Sequence, residues 1–154
     1  MTTYFLDSSA LVKRYALEIG TAWVSSLCDP QNGHTILIAN VTIVEVAAAL
    51  ASKRRSQEIT AEAYAQVLQD FIRDASTHYQ VLGIDQRVIT LGVDLTGRQK
   101  LRGYDAVQLA VALTINRALI AQQLPPLTFV SADGDLLTAA RNEGLHIDDP
   151  NQHP

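Results

Sequence analysis

The chain has 154 residues, of which 47% are apolar and only 18% charged, so a disordered chain is excluded and one domain with a real core is expected. Twelve Lys and Arg stand against sixteen Asp and Glu, a formal net charge of −4, which excludes a global basic field for gripping nucleic acid. The single Cys28 excludes a disulfide framework and a Cys-based zinc site and fits a reducing compartment, and no apolar run is long enough to span a membrane.

Thr3–Leu6 is a short β-branched and aromatic run and predicts a strand. Asp7, Ser8 and Ser9 are helix starters, and a short helix is expected to about Ala16. Thr21–Leu27 predicts a second helix and Thr35–Ala39 a second strand. Thr42 is expected to cap a helix reaching about Lys53, with Glu45 completing a capping box. Thr60 opens the clearest amphipathic helix, its stripe formed by Tyr64, Val67, Leu68, Phe71, Ile72 and Ala75. A strand at Gln80–Ile84, a helix from Asp85, and a long helix from Gly103 or Tyr104 to about Gln122 follow. Leu127–Ser131 predicts a strand, Asp133 opens a helix closed at Gly144, and His146–Asp148 is a final strand. The expected organisation is one domain over 1–148 with a solvated tail over 149–154. Strands alternating with helices give an α/β fold with a mostly parallel sheet, whose ligand crevice lies beyond the carboxyl ends of the strands.

Acids stand at those ends. Asp7 closes the first strand, Glu45 follows the second, Asp105 starts the long helix, and Asp133 follows the fourth strand. Any one of them alone reads as a helix cap. Together, crowded carboxylates repel one another, and a cation would relieve the repulsion. Oxygen donors without Cys or His suit Mg²⁺ or Mn²⁺, and carboxylate-held Mg²⁺ suits phosphodiester hydrolysis. Asp135 and Asp94 are expected to face solvent or to cap, and Asp133-Gly134-Asp135 lacks the remaining spacing of a calcium-binding EF-hand loop. A phosphoacceptor receiver domain would want an acidic pair after the first strand, and a dehalogenase-like phosphatase Asp-x-Asp there; Asp7-Ser8-Ser9 offers neither.

The segments Leu-Asp-Ser-Ser-Ala-Leu-Val-Lys, Thr-Ile-Val-Glu-Val, Tyr-Asp-Ala-Val-Gln-Leu-Ala and Val-Ser-Ala-Asp-x-x-Leu occur in that order. In this the chain resembles PIN-domain proteins of the VapC toxin type, from Tyr4 to about Ile147. The resemblance implies a three-layer α/β/α fold with about five mostly parallel strands. It implies a Mg²⁺- or Mn²⁺-dependent endoribonuclease held inactive by a VapB-type antitoxin, and a homodimer, while the cytoplasmic setting is expected from the single cysteine and the lack of a membrane-spanning run. It makes Asp7 and Asp105 the principal metal ligands, with Glu45 and Asp133 completing the site directly or through water. Ser9 matches the hydroxyl that bonds the first acid or a phosphate. The competing expectation is a non-catalytic RNA- or antitoxin-binding module.

Among basic residues, Arg98, Lys100 and Arg102 lead into Asp105, and with Lys13 or Arg14 they are the expected RNA-phosphate contacts. Lys53, Arg54 and Arg55 read as helix C-terminal cations. The helices from Thr42 and Thr60 are candidate walls of a partner groove, and Trp23 a candidate partner contact if exposed. The four histidines show no ligand spacing. Setting the four crevice acids aside leaves twelve acids against twelve bases, so the net charge is no argument against an RNA partner.

Overall fold

A computed structural model describes Met1–Pro154. Five strands, β1 (Thr3–Leu6), β2 (Thr35–Ala39), β3 (Tyr79–Leu82), β4 (Thr128–Val130) and β5 (His146–Asp148), form one sheet in the order β3-β2-β1-β4-β5. Every pairing is parallel. The first strand therefore lies at the centre, paired as Phe5 with Leu37 of β2 and with Phe129 of β4. The helices are α1 (Ser8–Leu11), α2 (Thr21–Cys28), α3 (Asn40–Arg55), α4 (Ala61–Thr77), α5 (Gln86–Arg98), α6 (Gly103–Ala121) and α7 (Gly134–Asn142).

The strands are apolar on both faces because each face has its own core. Side chains alternate along a strand. Phe5, Leu37, Ala39 and Phe129 pack with α5, α6 and α7 on one side. Leu6, Ile36, Ile38 and Val130 pack with α1 to α4 on the other, around Leu11, Val24, Leu50 and Phe71. The result is the expected three-layer α/β/α sandwich. Phe5 and Phe129 stack across neighbouring central strands, with ring centroids 5.6 Å apart.

The second core contains a polar knot. Asp74 of α4, only 4% exposed, accepts a hydrogen bond from the Tyr15 hydroxyl at 2.8 Å and lies 3.6 Å from Arg14 Nε. Tyr15 and Tyr79 share a further hydroxyl contact. Burial pushes both phenols above their ordinary range and the Cys28 thiol up to about 11, so Cys28 is an inert buried residue.

Three expectations need correction. The helix expected from Thr42 begins two residues earlier, at Asn40, where the backbone turns directly out of β2 without a side-chain cap. Thr42 is then fully buried and the capping box with Glu45 does not form. The helix after Asp7 is a single turn, Ser8–Leu11, continued as a 3-10 turn at Val12–Arg14. The segment expected as a solvated tail folds back. Asp149 caps a 3-10 turn at Pro150–Gln152, and Asn151 accepts from Lys13 at 3.0 Å. His153 bonds Asp148 at 2.8 Å and stacks on Trp23 at 4.0 Å, so Trp23 is not a free aromatic.

Gly20 permits this docking. Its φ is +90°, and a Cβ there would lie 2.4 Å from the Pro150 carbonyl oxygen. Gly20→Ala is expected to cost about 2–3 kcal/mol, from the left-handed backbone and the displaced C-terminal turn. Thermal unfolding measures this, and an unchanged melting temperature would show that the C-terminal turn does not seat against Gly20.

Candidate active site

The carboxyl ends of β1, β2 and β4 and the start of α6 converge on a crevice of about 280 Å³ lined by Asp7, Ser8, Ser9, Glu45, Arg102, Tyr104, Asp105 and Asp133. All four sequence-predicted acids are among these residues, delivered from four different elements.

Asp7 is 3% exposed and sits at the end of β1. Its Oδ1 accepts from the Ala10 N–H at 3.0 Å and from Ser9 Oγ at 2.8 Å, and its Oδ2 accepts from Ser131 Oγ at 2.8 Å. Ser9 in turn accepts from the Ala132 N–H at 2.9 Å, and Ser131 from the Asp133 N–H at 3.0 Å. Two serines thus tie the end of β1 to the end of β4. Burial pushes the Asp7 carboxyl up to about 6, with a smaller push from Asp105, against the pull of Ser9, the Ala10 N–H and Ser131.

Asp105 lies in the first turn of α6, and its carboxyl is also raised, first by burial and then by the charge of Asp133, against the pull of Arg102. Asp133 combines two tasks. Its Oδ1 caps α7 by accepting from the Asp135 and Leu136 N–H groups at 3.0 and 3.2 Å, while its Oδ2 faces Arg102 at 3.5 Å. Helix capping and a place in the crevice are therefore not alternatives. Glu45 lies in the second turn of α3, past the free N–H groups of that helix. It accepts from Gln108 at 2.8 Å and from Ser8 at 3.3 Å.

Arg102, with 84% of its side chain exposed, reaches both Asp105 and Asp133 at 3.5 Å. The crevice continues past it into a second hollow lined by Lys100, Leu101, Arg102, Asp105, Asp133 and Asp135. No three of the acids converge on one coordination point. Asp133 is turned toward its cap and Arg102, and Asp7 toward its serines.

The other basic residues do not gather here. Arg14 turns into the polar knot, toward Asp74 and the Ser25 carbonyl, because the buried carboxylate there needs a counter-charge. Lys13 is 5% exposed and held by Glu18 and Asn151. Arg98 grips Glu143 of the α7 C-cap with two bonds, at 2.7 and 3.1 Å, pinning α5 to α7. Lys13, Arg14 and Arg98, expected as phosphate contacts, are thus each engaged by protein partners away from the four acids. Lys100 and Arg102 remain at the rim. Asp135, 64% exposed beside Lys100, is absent from the first hollow and lines its continuation.

Ser131 was not singled out from sequence, and Gln108 reads there only as the end of a capping-box-like Asp105-x-x-Gln108, which does not form because α6 starts after Arg102. Ser131 stands two residues before Asp133, a lone hydroxyl closing an apolar strand. Gln108 is the single polar side chain in the run Ala106–Leu113, which is a signal that burial needs it there.

No curated protein sequence matches the chain. Among solved structures, the fold is similar to PAE2754 from Pyrobaculum aerophilum, at 20% identity and a TM-score of 0.60, covering 98% of this chain and 85% of that one. It is also similar to VapBC2 from Rickettsia felis bound to a DNA fragment from its promoter, at 11% identity, TM-score 0.63, and 96% and 98% coverage. A third is VapC20 of Mycobacterium tuberculosis, described as a sarcin-ricin loop cleaving toxin, at 16% identity, TM-score 0.59, and 88% and 94% coverage. The family model of the PIN domain matches residues 4–136, and with the parallel five-stranded sheet and the acids at its carboxyl edge, the chain belongs to the PIN domain family.

Proposed function

We propose that the crevice is the active site of a divalent-cation-dependent endoribonuclease, acting as the toxin of a toxin–antitoxin pair. The observation that carries this reading is the placement of four carboxylates in one crevice, with Asp7 buried and raised to about 6 and a single exposed arginine as counter-charge. Such a cluster is destabilising unless a cation binds it. The donors are carboxylate and hydroxyl oxygens, which fit Mg²⁺ or Mn²⁺ and not a softer metal. PIN-domain membership supports the nuclease class, and the likeness to VapC20 and to VapBC2 supports an RNA substrate and a VapB-type antitoxin partner. A homodimer and a cytoplasmic setting complete the proposal. No helix is long and apolar enough to cross a membrane.

A bound Mg²⁺ would activate water and stabilise charge developing on a phosphoryl oxygen. The chain's residues do the rest. Asp7 and Asp105 would hold the cation, and Glu45 and Asp133 would complete its shell directly or through water. Ser9 and Ser131 fix the rotamer of Asp7 and favour its ionised form. Arg102 lies close enough to the acids to leave them for a phosphate oxygen, and Lys100 extends the positive rim.

Purified protein should cleave structured RNA with Mn²⁺ or Mg²⁺ and stop when EDTA is added; cleavage persisting in EDTA would refute the metal assignment. Changing Lys100 and Arg102 to Ala should lower the slope of log affinity against log salt by about 1–2 for single-stranded RNA. Arg98→Ala should leave that slope unchanged, since Arg98 is committed to Glu143. The reverse pattern would move the RNA path to the α5 end.

A further inference from the structure

Gln108 is 1% exposed in the apolar centre of α6. Both hydrogens of its amide nitrogen are used, one on Thr42 Oγ1 at 2.7 Å and one on Glu45 Oε1 at 2.8 Å. Its carbonyl oxygen is buried and has no partner. Leaving an acceptor unpaired in a core is unfavourable, and a Leu or Met of similar size would avoid it if packing were the only requirement. The amide orientation is also forced. A carboxylate only accepts, so reversing the amide would set two acceptors against each other.

The placement of Glu45 explains the need. Asp7 and Asp133 each take backbone N–H donors, but Glu45 stands too far into α3 to do so and depends on side chains. Ser8 is the other donor, at the longer 3.3 Å. Asp105 and Gln108 are one turn apart on α6 and share a face. Gln108 therefore measures Glu45 on α3 against Asp105 on α6, with Thr42 anchoring it. Lys or Arg in this place would hold Glu45 equally well but would cancel its charge, whereas a neutral donor leaves that charge for a cation.

We propose that Gln108 is the positioning residue of the acidic crevice, clamping α3 to α6 through Glu45 and Thr42 and thereby setting the separation of Glu45 from Asp105. The proposal rests on the crevice being a cation site, and its test separates the two ideas. Mn²⁺ binding is measured by calorimetry on the wild type, Gln108→Met, Glu45→Gln and the double variant. Gln108→Met should weaken Mn²⁺ binding about 10–100-fold, as loss of a partner that orients a ligand does. In the Glu45→Gln background the same change should matter less than about twofold, because the two act as one unit. Equal loss in both backgrounds, or no loss in either, overturns the proposal. If Gln108→Met does not fold, Thr42→Val removes the anchor alone and should weaken Mn²⁺ binding in the same Glu45-dependent way; no change there also overturns it. The side-chain amide protons of Gln108 give a readout without metal. They should be protected from solvent exchange and should shift in Glu45→Gln. If the wild type binds no Mn²⁺, the function proposal falls and these protons decide: protected and Glu45-sensitive signals uphold the clamp, and exchange at solvent rate removes it.

Discussion

Asp7→Asn should give a folded protein that no longer cleaves RNA and that, without added divalent cation at pH 7, melts higher than its parent. The loss of cleavage follows from removing a central charge of the crevice, and a drop of at least about 10³-fold is expected, comparable to deleting one essential member of a catalytic set. The gain in stability follows from linkage. The Asp7 carboxyl sits at about 6 in the folded protein against an ordinary value of 3.8. The folded state thus binds the proton more tightly, so the contribution of Asp7 to stability is fully present below about pH 4 and is lost as pH rises from there through about 6. Above that range the ionised, buried carboxylate costs about 3 kcal/mol. Asparagine carries no charge, keeps its Oδ1 for the Ala10 N–H and the Ser9 hydroxyl, and places its Nδ2 where Ser131 can accept instead of donate. Part of the cost should return, as a rise in melting temperature of roughly 3–6 °C. Added Mn²⁺ should then raise the melting temperature of the parent and not of the variant. Melting curves from pH 4 to 8, with and without Mn²⁺, measure all of this. A variant that still cleaves, or one that melts below its parent at pH 7, would contradict the assignment of Asp7.

Asp74→Ala should be the opposite case, a large loss of stability that leaves the crevice chemistry alone. The carboxylate holds the Tyr15 hydroxyl at 2.8 Å and faces the guanidinium groups of Arg14 at 3.6 Å and of the exposed Arg73 at 3.5 Å, and truncation strands Tyr15 and Arg14. Removing one member of a buried pair costs about 3–5 kcal/mol, and Arg14, 20% exposed, keeps some access to water. The lower end applies: about 3 kcal/mol, or a fall of roughly 6–12 °C. Mn²⁺ affinity below the melting range should stay within about twofold, since distant sites act independently. A loss of affinity matching the loss of stability would place Asp74 in the crevice's support.

Sequence reading went furthest where one residue carries a local signal. Thr35–Ala39 matches its strand residue for residue, because an apolar β-branched run bounded by turn formers has few other uses. The four acids were legible because strand ends are legible, and in a parallel sheet those ends share an edge. Failures arose where a residue's partner lies far along the chain. Thr42 has every local mark of a helix cap, yet its hydroxyl is claimed by Gln108, 66 positions later. Arg14 follows the first acid closely in sequence but answers to Asp74 on α4. The turn after Asp149 depends on the space above Gly20, which no local pattern encodes.

The central place of β1 has a consequence for how such a protein is made. Asp7 is synthesised 124 positions before Ser131, but the Asp7 N–H bonds the Val130 carbonyl at 3.1 Å, and its carboxylate is steadied by Ser131. Asp133 comes later still. A nascent chain that stops short of β4 has the middle strand without one neighbour and the crevice without one wall. Domains fold as units during synthesis, and a parallel sheet closes only when its distant strands meet. A ribosome translating this message therefore carries no assembled crevice until β4 and Asp133 have emerged.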